Sequence, residues 1–356
     1  MKKLAKLISL VAAITLVISV FSGCAQKETT TSSTTPATTQ TKEEPAKTEE
    51  TKDTSEETIT LKFAHVVADN HPYNLGALKF KELLEANSPE PVTVEIFANG
   101  ALGGERELAE GLQMGTLDIA LIPGAIGNFS KAFSVLNIPH LFRDNDHVYK
   151  VLDGEIGQEL AAALPEEAGF RLLSYWENGW RNMTNSKRPI YSPEDVKGLT
   201  MRVPEDRVYT AYFEELGANV VVMAFTELYT ALQQKTVDGQ ENPVALIATN
   251  KLYEAQKYLS LTKHFYGPAH VCISETTWKN LSDDMQKAIQ DAASEACTYE
   301  RGLISEYESS YLDEIKAAGT EVNEVDKSLF QQSAENVWAK FEDEYGDTIR
   351  KIQAVK

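Results

Sequence analysis

From residue 59 onward, short apolar strands alternate with amphipathic helices, and no other feature of the chain constrains its fold so strongly. Thr60-Leu61-Lys62-Phe63-Ala64-His65 alternates as a half-buried strand does. Residues 74–86 carry Leu75, Leu78, Leu83 and Leu84 on a helical stripe, 92–97 read as a second strand, and 105–115 as a second helix with Leu108 and Leu112 four apart. Residues 117–122 form a continuous apolar strand stopped by Pro123-Gly124. This order predicts a parallel-rich sheet with helices on both faces. A second series gives strands at 171–175, 200–203, 220–223, 237–241 and 271–274, and helices at 207–216 and 226–235. After Glu275 the chain reads as almost wholly helical. The expected fold class is therefore α/β, with two lobes and a helical C-terminal part. A cleft between two such lobes is a common small-molecule site.

The first 58 residues belong to something else. Lys2, Lys3 and Lys6 precede an uncharged run over 7–21. At 1.5 Å per residue that run reaches roughly 22 Å, short of a ~30 Å hydrocarbon core, so 1–23 reads as a secretory signal peptide rather than a spanning helix. The run ends in Phe21-Ser22-Gly23-Cys24, which resembles the bacterial lipobox. There the cysteine is diacylated and becomes the first residue of the mature chain; the alternative is an ordinary cleavage site that holds a cysteine. Cleavage removes three lysines and no acid, taking the net charge from −19 to −22. Residues 24–58 read as a disordered tether from the lipid: 27–58 hold 12 Thr and 3 Ser, with Ala37 and Ala46 as the only apolar side chains. Such a Thr-rich tether is more like that of a Gram-positive surface lipoprotein than of a periplasmic protein. The expected location is the extracytoplasmic face of the cell membrane.

Composition excludes several functions. A hydrophobic content of 42% over 356 residues supports a real core. With 34 basic against 53 acidic side chains, nucleic-acid binding is disfavoured. Three cysteines make neither a disulfide scaffold nor a multi-cysteine zinc site. The six histidines fall into no metal-ligand spacing, there is no Gly-x-Ser-x-Gly elbow, and the glycines at 100–104 have neither dinucleotide nor P-loop spacing, so no enzyme, metal or cofactor is expected. Cys272 and Cys297 read as buried free thiols, with a disulfide as the alternative.

Eight segments in order carry a resemblance. They are His71-Pro72, Asn99-Gly100-Ala101-Leu102-Gly103-Gly104-Glu105-Arg106-Glu107, Gly115-Thr116-Leu117-Asp118, Ile138-Pro139-His140-Leu141-Phe142-Arg143, Glu177-Asn178-Gly179-Trp180-Arg181, Gly198-Leu199-Thr200-Met201-Arg202-Val203-Pro204, Met223-Ala224-Phe225-Thr226-Glu227 and Val237-Asp238-Gly239-Gln240-Glu241-Asn242-Pro243. Together they resemble the DctP-type substrate-binding proteins of TRAP transporters over essentially the whole body. The resemblance implies a two-lobed, flytrap-like (periplasmic-binding-protein-like) fold that holds an organic acid anion between its lobes. It also implies delivery to a permease with a small and a large membrane subunit, driven by an ion gradient. Lobe I is expected over 59–178 with about 268–307, and lobe II over 179–267 with about 308–356. Relatives of this kind are usually monomers, and a monomer is expected here.

The resemblance also assigns the site. Arg202, in Arg-Val-Pro, matches the carboxylate-binding arginine of the family, and a guanidinium fork can hold both carboxylate oxygens where an ammonium cannot. Arg181 and Asn242 match residues that face the ligand, and Phe225 the aromatic that covers it. Each has a plainer reading: a salt bridge for the arginines, a turn for Asn242, core packing for Phe225. Trp180, Trp176 and Tyr73 are candidate pocket walls; His71, Glu177 and Glu241 are candidate hydroxyl partners, with structural roles as the alternative. The uncharged stretch Ile122-Pro123-Gly124-Ala125-Ile126-Gly127 departs from sialic-acid-binding relatives, which carry charges there. A smaller acid is therefore expected, a hexuronate or related sugar acid ahead of a C4-dicarboxylate. The binding protein of an ATP-driven transporter, or the partner of a chemosensory receptor, would share the same lobes.

Overall fold

The computed structural model describes residues 58–356, so the signal-peptide, Cys24 and tether readings lie outside the described residues. In chain order the main elements are β1 (Ile59–Ala64), α1 (Pro72–Asn87), β2 (Val92–Phe97), α2 (Glu105–Met114), β3 (Ile119–Leu121), α3 (Asn145–Leu152), α4 (Glu155–Glu167) and β4 (Phe170–Asn185). They continue as α5 (Pro193–Val196), β5 (Thr200–Val203), α6 (Arg207–Glu215), β6 (Asn219–Val222), α7 (Phe225–Gln233), β7 (Gly239–Pro243), α8 (Val244–Thr249) and β8 (Tyr258–Ser274). The last are α9 (Glu275–Lys279), α10 (Asp283–Ala317), β9 (Glu321–Glu324), α11 (Gln331–Lys340) and α12 (Glu342–Ala354).

Local chemistry explains the boundaries. His71 caps α1, its Nδ1 accepting from the Tyr73 amide at 3.0 Å, and Pro72 occupies the first turn, where a missing N–H costs nothing. Tyr73, Ala77, Phe80 and Leu84 then bury one stripe of the helix. Gly115 ends α2 in the left-handed region, at φ 69°.

One nine-stranded sheet runs in the order β2-β1-β3-β8-β4-β7-β5-β6, with β9 beside β8. The α/β fold class holds, and most pairings are parallel, but the centre is antiparallel: β4 and β8 pair from Phe170↔Ser274 to Asn185↔Tyr258. These two strands are far longer than the 171–175 and 271–274 predicted, because polar residues at Glu177, Asn178, Arg181 and Lys263 break the apolar pattern. The tail also contains a strand, β9, where continuous helix was expected.

The long pair joins two half-sheets. β3 attaches to β8 at 271–273, while β7 attaches to β4 at 181–185. Between the attachments the register slips at Glu177/Gly179, and Gly179 takes φ 102°, a conformation that favours glycine. Helix α10 packs on α1 of the first half and on α8 of the second. Its 35 residues span about 52 Å, so it backs both. In the tail, α11 lies on α6, whereas α12 lies on α4 and the 131–137 turn of the first half. Cys272 and Cys297 are buried free thiols. Trp176 is not a cleft wall but a fully buried core residue against Phe63 and Tyr73.

The β4–β7–β5 seam tolerates no side chain at Gly239. A Cβ there would stand 2.2 Å from the Thr184 carbonyl oxygen and 2.9 Å from Met201 Sδ. Gly239→Ala is expected to lower unfolding free energy by about 2–3 kcal/mol, read by urea denaturation.

Candidate functional site

Where the register slips, the half-sheets face each other across a narrow cavity with room for about one water molecule. Tyr73 and Glu105 line it from the first half, Arg202, Phe225 and Asn242 from the second, and Arg181 from β4 between them. The halves touch around it: Arg106 Nε lies 2.8 Å from Glu205 Oε2, and Asn128 donates to the Glu205 carbonyl at 2.7 Å. Residues from distant parts of the chain are thus brought to one enclosed place.

The two arginines differ in what they already hold. Arg181 is 3% exposed and Glu241 0%. Arg181 donates to both Glu241 carboxylate oxygens, at 2.5 and 2.7 Å, and to Asn242 Oδ1 at 2.9 Å. Burial opposes the charge on Arg181, but the adjacent Glu241 carboxylate more than offsets it and the pKa goes up. Burial likewise works against the Glu241 carboxylate, and Arg181 pulls its pKa down. This is a closed, desolvated ion pair. His264 Nε2 stands 3.4 Å from the same carboxylate, and its burial lowers its own pKa.

Arg202 is 2% exposed and has no such partner. Its one side-chain hydrogen bond among the described residues runs from Nε to the Met223 carbonyl, at 2.9 Å. Both terminal amino groups are left over. Burial pushes its pKa down to about 10, with Glu241 opposing and Arg181 adding to the fall. It stays cationic at neutral pH, as a buried positive charge with two unused donor groups. Such a charge favours an incoming anion strongly.

A chain of amides holds the arginine pair in place. Asn242 donates to Gln240 at 2.5 Å, Gln240 to Thr184 Oγ1 at 2.9 Å, and Thr184 to Gln256 at 2.9 Å. Gln240 is visible in the Asp-Gly-Gln-Glu-Asn-Pro segment, but nothing local marks Thr184 or Gln256 as its partners.

The remaining candidates divide. Tyr73 lines the cavity; its hydroxyl has no hydrogen-bond partner among the described residues, and burial drives its pKa well up. Phe225 lines it at the start of α7. Glu241 lies behind Arg181 and is committed to it. His71 is a fully buried helix cap, its ring 4.5 Å from that of Tyr73. Glu177 and Trp180 line a second, small neighbouring cavity. There Glu177 accepts from Tyr149 and Asn145, and Trp180 Nε1 donates to Asn145 at 2.7 Å. Glu105 was not among the sequence candidates. As an acid in the first turn of α2 it reads as a partner of the helix dipole, and nothing in its own segment marks it otherwise.

Comparison with known proteins places these features in a family. The family model described as bacterial extracellular solute-binding protein, family 7 (DctP) matches residues 63–344. The chain is 36% identical over 281 residues to the 2,3-diketo-L-gulonate-binding periplasmic protein YiaO of Escherichia coli strain K12, covering 78% of this chain and 85% of that protein. It is 35% identical to the C4-dicarboxylate-binding periplasmic protein DctP of Rhodobacter capsulatus, over 74% of this chain and 79% of that one. The solved structure of a TRAP periplasmic solute binding protein from Polaromonas sp. JS666 bound to D-erythronate superposes with a TM-score of 0.82 at 39% identity, covering 84% of this chain and 99% of that one.

Three buried histidines set an acid limit. Burial depresses His71 to about 3, and His140 and His270 to about 4, from an ordinary 6.5. The unfolded chain therefore takes up protons below pH 6.5 at these histidines that the folded chain refuses, and their share of the stability is lost as pH falls from 6.5 toward 4, while the buried Glu177, Asp206 and Glu300, whose pKa values burial raises, act in the opposite sense. Imidazole NMR titrations are expected to find all three neutral at pH 5.5; protonation of any of them above that pH would contradict this.

Proposed function

The chain belongs to family 7 of the bacterial extracellular solute-binding proteins, the DctP type that serves TRAP transporters, and on that footing we propose that its cargo is a sugar acid held by one carboxylate on Arg202. The observation that carries this reading is the buried guanidinium of Arg202, which has two terminal amino groups and no acidic partner. A carboxylate gives up its water on entering such a cavity and needs a charged, two-pronged donor in exchange. Arg181 stands beside it, already neutralised by Glu241, and acts with Asn242 to orient the acid rather than to balance its charge. Phe225 and Tyr73 close the apolar sides.

The cargo is read as a hexuronate or related sugar acid. Similarity to a 2,3-diketo-L-gulonate-binding protein and to a D-erythronate complex supports this, and similarity to a C4-dicarboxylate-binding protein keeps the dicarboxylate as the second reading. The family binds solutes and is not one of enzymes; the loaded protein works with the membrane permease subunits of a TRAP system. We assign lobe I to 59–178 with about 268–307, and lobe II to 179–267 with about 308–356. The lobe boundary at 178/179 coincides with the register slip in β4, and α12 reaches back onto the first lobe as a strap. Ligand that touches both lobes stabilises the closed arrangement by differential affinity. We read Cys24 as the lipid-bearing first residue of the mature chain, holding a monomeric binding body outside the membrane on its Thr-rich tether, in the manner of Gram-positive lipoproteins.

Three experiments test this. A ligand at 100 times its dissociation constant adds roughly 2.7 kcal/mol of stability, so a thermal-shift panel of hexuronates, aldonates, C4-dicarboxylates and neutral sugars should show a clear rise with one acid class. Arg202→Ala should weaken that acid roughly 100-fold or more, about 3 kcal/mol, and Arg202→Lys should fall between, by titration calorimetry. Wild-type affinity in Arg202→Ala would sink the assignment. In cells, Cys24→Ala should move the protein from the membrane fraction to the soluble one.

A further inference from the structure

We propose that Glu300 is a proton-bearing fastener between helix α10 and the bending point of β4, and that loss of its proton loosens this joint. Side chains of α10 meet the backbone of β4 in step. Gln290 donates to the Leu173 carbonyl at 2.8 Å, Cys297 to the Tyr175 carbonyl at 3.1 Å, and Glu300 Oε2 accepts the Glu177 amide at 2.9 Å. Glu177 stands where the register slips, so Glu300 makes the last of these attachments. Helix α1 presses on it from another side: a Cβ on Gly76 would stand 3.1 Å from the Glu300 Cβ.

The surroundings of Glu300 do not suit a charge. The residue is 0% exposed, and Oε1 has no hydrogen-bond partner among the described residues. Arg301, next along the helix, gives its two terminal amino groups to Asp153 at 2.6 and 2.9 Å. The other titratable groups around Glu300 are Tyr73 of α1, Tyr149 of α3, Glu177 of β4, Tyr266 of β8 and Cys297 of α10, none of them a cation. An ionised Glu300 would be a buried charge held by one amide and no ion pair. A proton resolves this, and burial, with Glu177 adding to it, drives the pKa well up. The neutral acid keeps its bond to the Glu177 amide through Oε2. Once ionised, the group needs water, and water reaches it only as α10 parts from β4.

The sign is fixed by linkage. Between the ordinary carboxyl pKa and the raised one, parting α10 from β4 becomes roughly tenfold easier per pH unit. The test follows amide exchange over 175–180 by mass spectrometry, together with urea denaturation, at pH 6 and 9. It uses the full chain and its Glu300→Gln and Glu300→Ala variants. Glu300→Gln keeps the shape of the protonated acid and cannot ionise, and comparison with it at each pH cancels the intrinsic pH dependence of exchange. The wild-type exchange rate relative to Glu300→Gln should rise roughly tenfold or more from pH 6 to 9. Over the same interval the urea midpoint of Glu300→Gln should rise relative to that of the wild type. Glu300→Ala, which leaves the Glu177 amide without its acceptor, should exchange fast at both pH values. A constant ratio, with Glu300→Gln destabilised alike at pH 6 and 9, would make Glu300 a charged carboxylate and overturn the proposal. A Glu300→Ala variant that exchanges as slowly as the wild type at pH 6 would overturn it too. Should Glu300→Ala fail to fold, the comparison with Glu300→Gln still decides. No ligand enters these measurements, so their outcome is independent of the reading of Arg202 as the carboxylate seat.

Discussion

Two antiparallel strands that stay bonded to each other through both halves of the molecule hold everything else in place. β4 and β8 carry one half-sheet near one end and the other near the opposite end. Each half-sheet joins the other through them, β3 lying between β1 and β8 and β7 between β5 and β4. The cavity forms where the pair is least regular, and the residues that line it reach it from loops and strand ends that the pair has set facing one another. Helix α10 and the returning α12 add a backing that crosses the same boundary.

Within that frame the electrostatics are uneven. Glu241 satisfies Arg181, and an amide chain through Asn242, Gln240 and Thr184 fixes the geometry of that pair. Breaking a buried pair of this kind typically costs about 3–5 kcal/mol, so it belongs to the fold as much as to the site. Arg202 lies outside that arrangement. Its charge is buried, its terminal amino groups have no partner, and nearby acids only moderate the cost. The protein thereby stores an unmet requirement that a small anion can meet.

Much of this was legible in the sequence. The short strands at 59–64, 92–97 and 200–203 and helices α2, α6 and α7 follow alternation and helical spacing closely, since each buries one clean face. The long strands were not, because residues such as Glu177, Asn178 and Arg181 are polar by local pattern and buried only by tertiary partners. β9, with polar Glu321, Asn323 and Glu324, carries no apolar pattern and is a strand because β8 offers an edge. Arg202, Arg181, Asn242, Phe225 and Tyr73 do converge on one cavity. Glu241 and His71 were legible as residues of interest but not as supports lying behind it. Glu105 escaped notice because what it holds, the 124–125 loop, is distant in sequence.

The register slip beside Asn178 has a mechanical meaning. Arg181 lies three residues farther along the same strand, roughly 10 Å at about 3.3 Å per residue. A bulged strand bends most readily at its bulge, and here the bending point and the cavity-lining Arg181 sit on one short, stiff lever. Occupancy need not be relayed through a chain of packed side chains to reach the joint. On the proposed reading of the site, the strand that touches the cargo would be the strand that turns, and the surface offered to a membrane partner would report directly on whether the molecule is loaded.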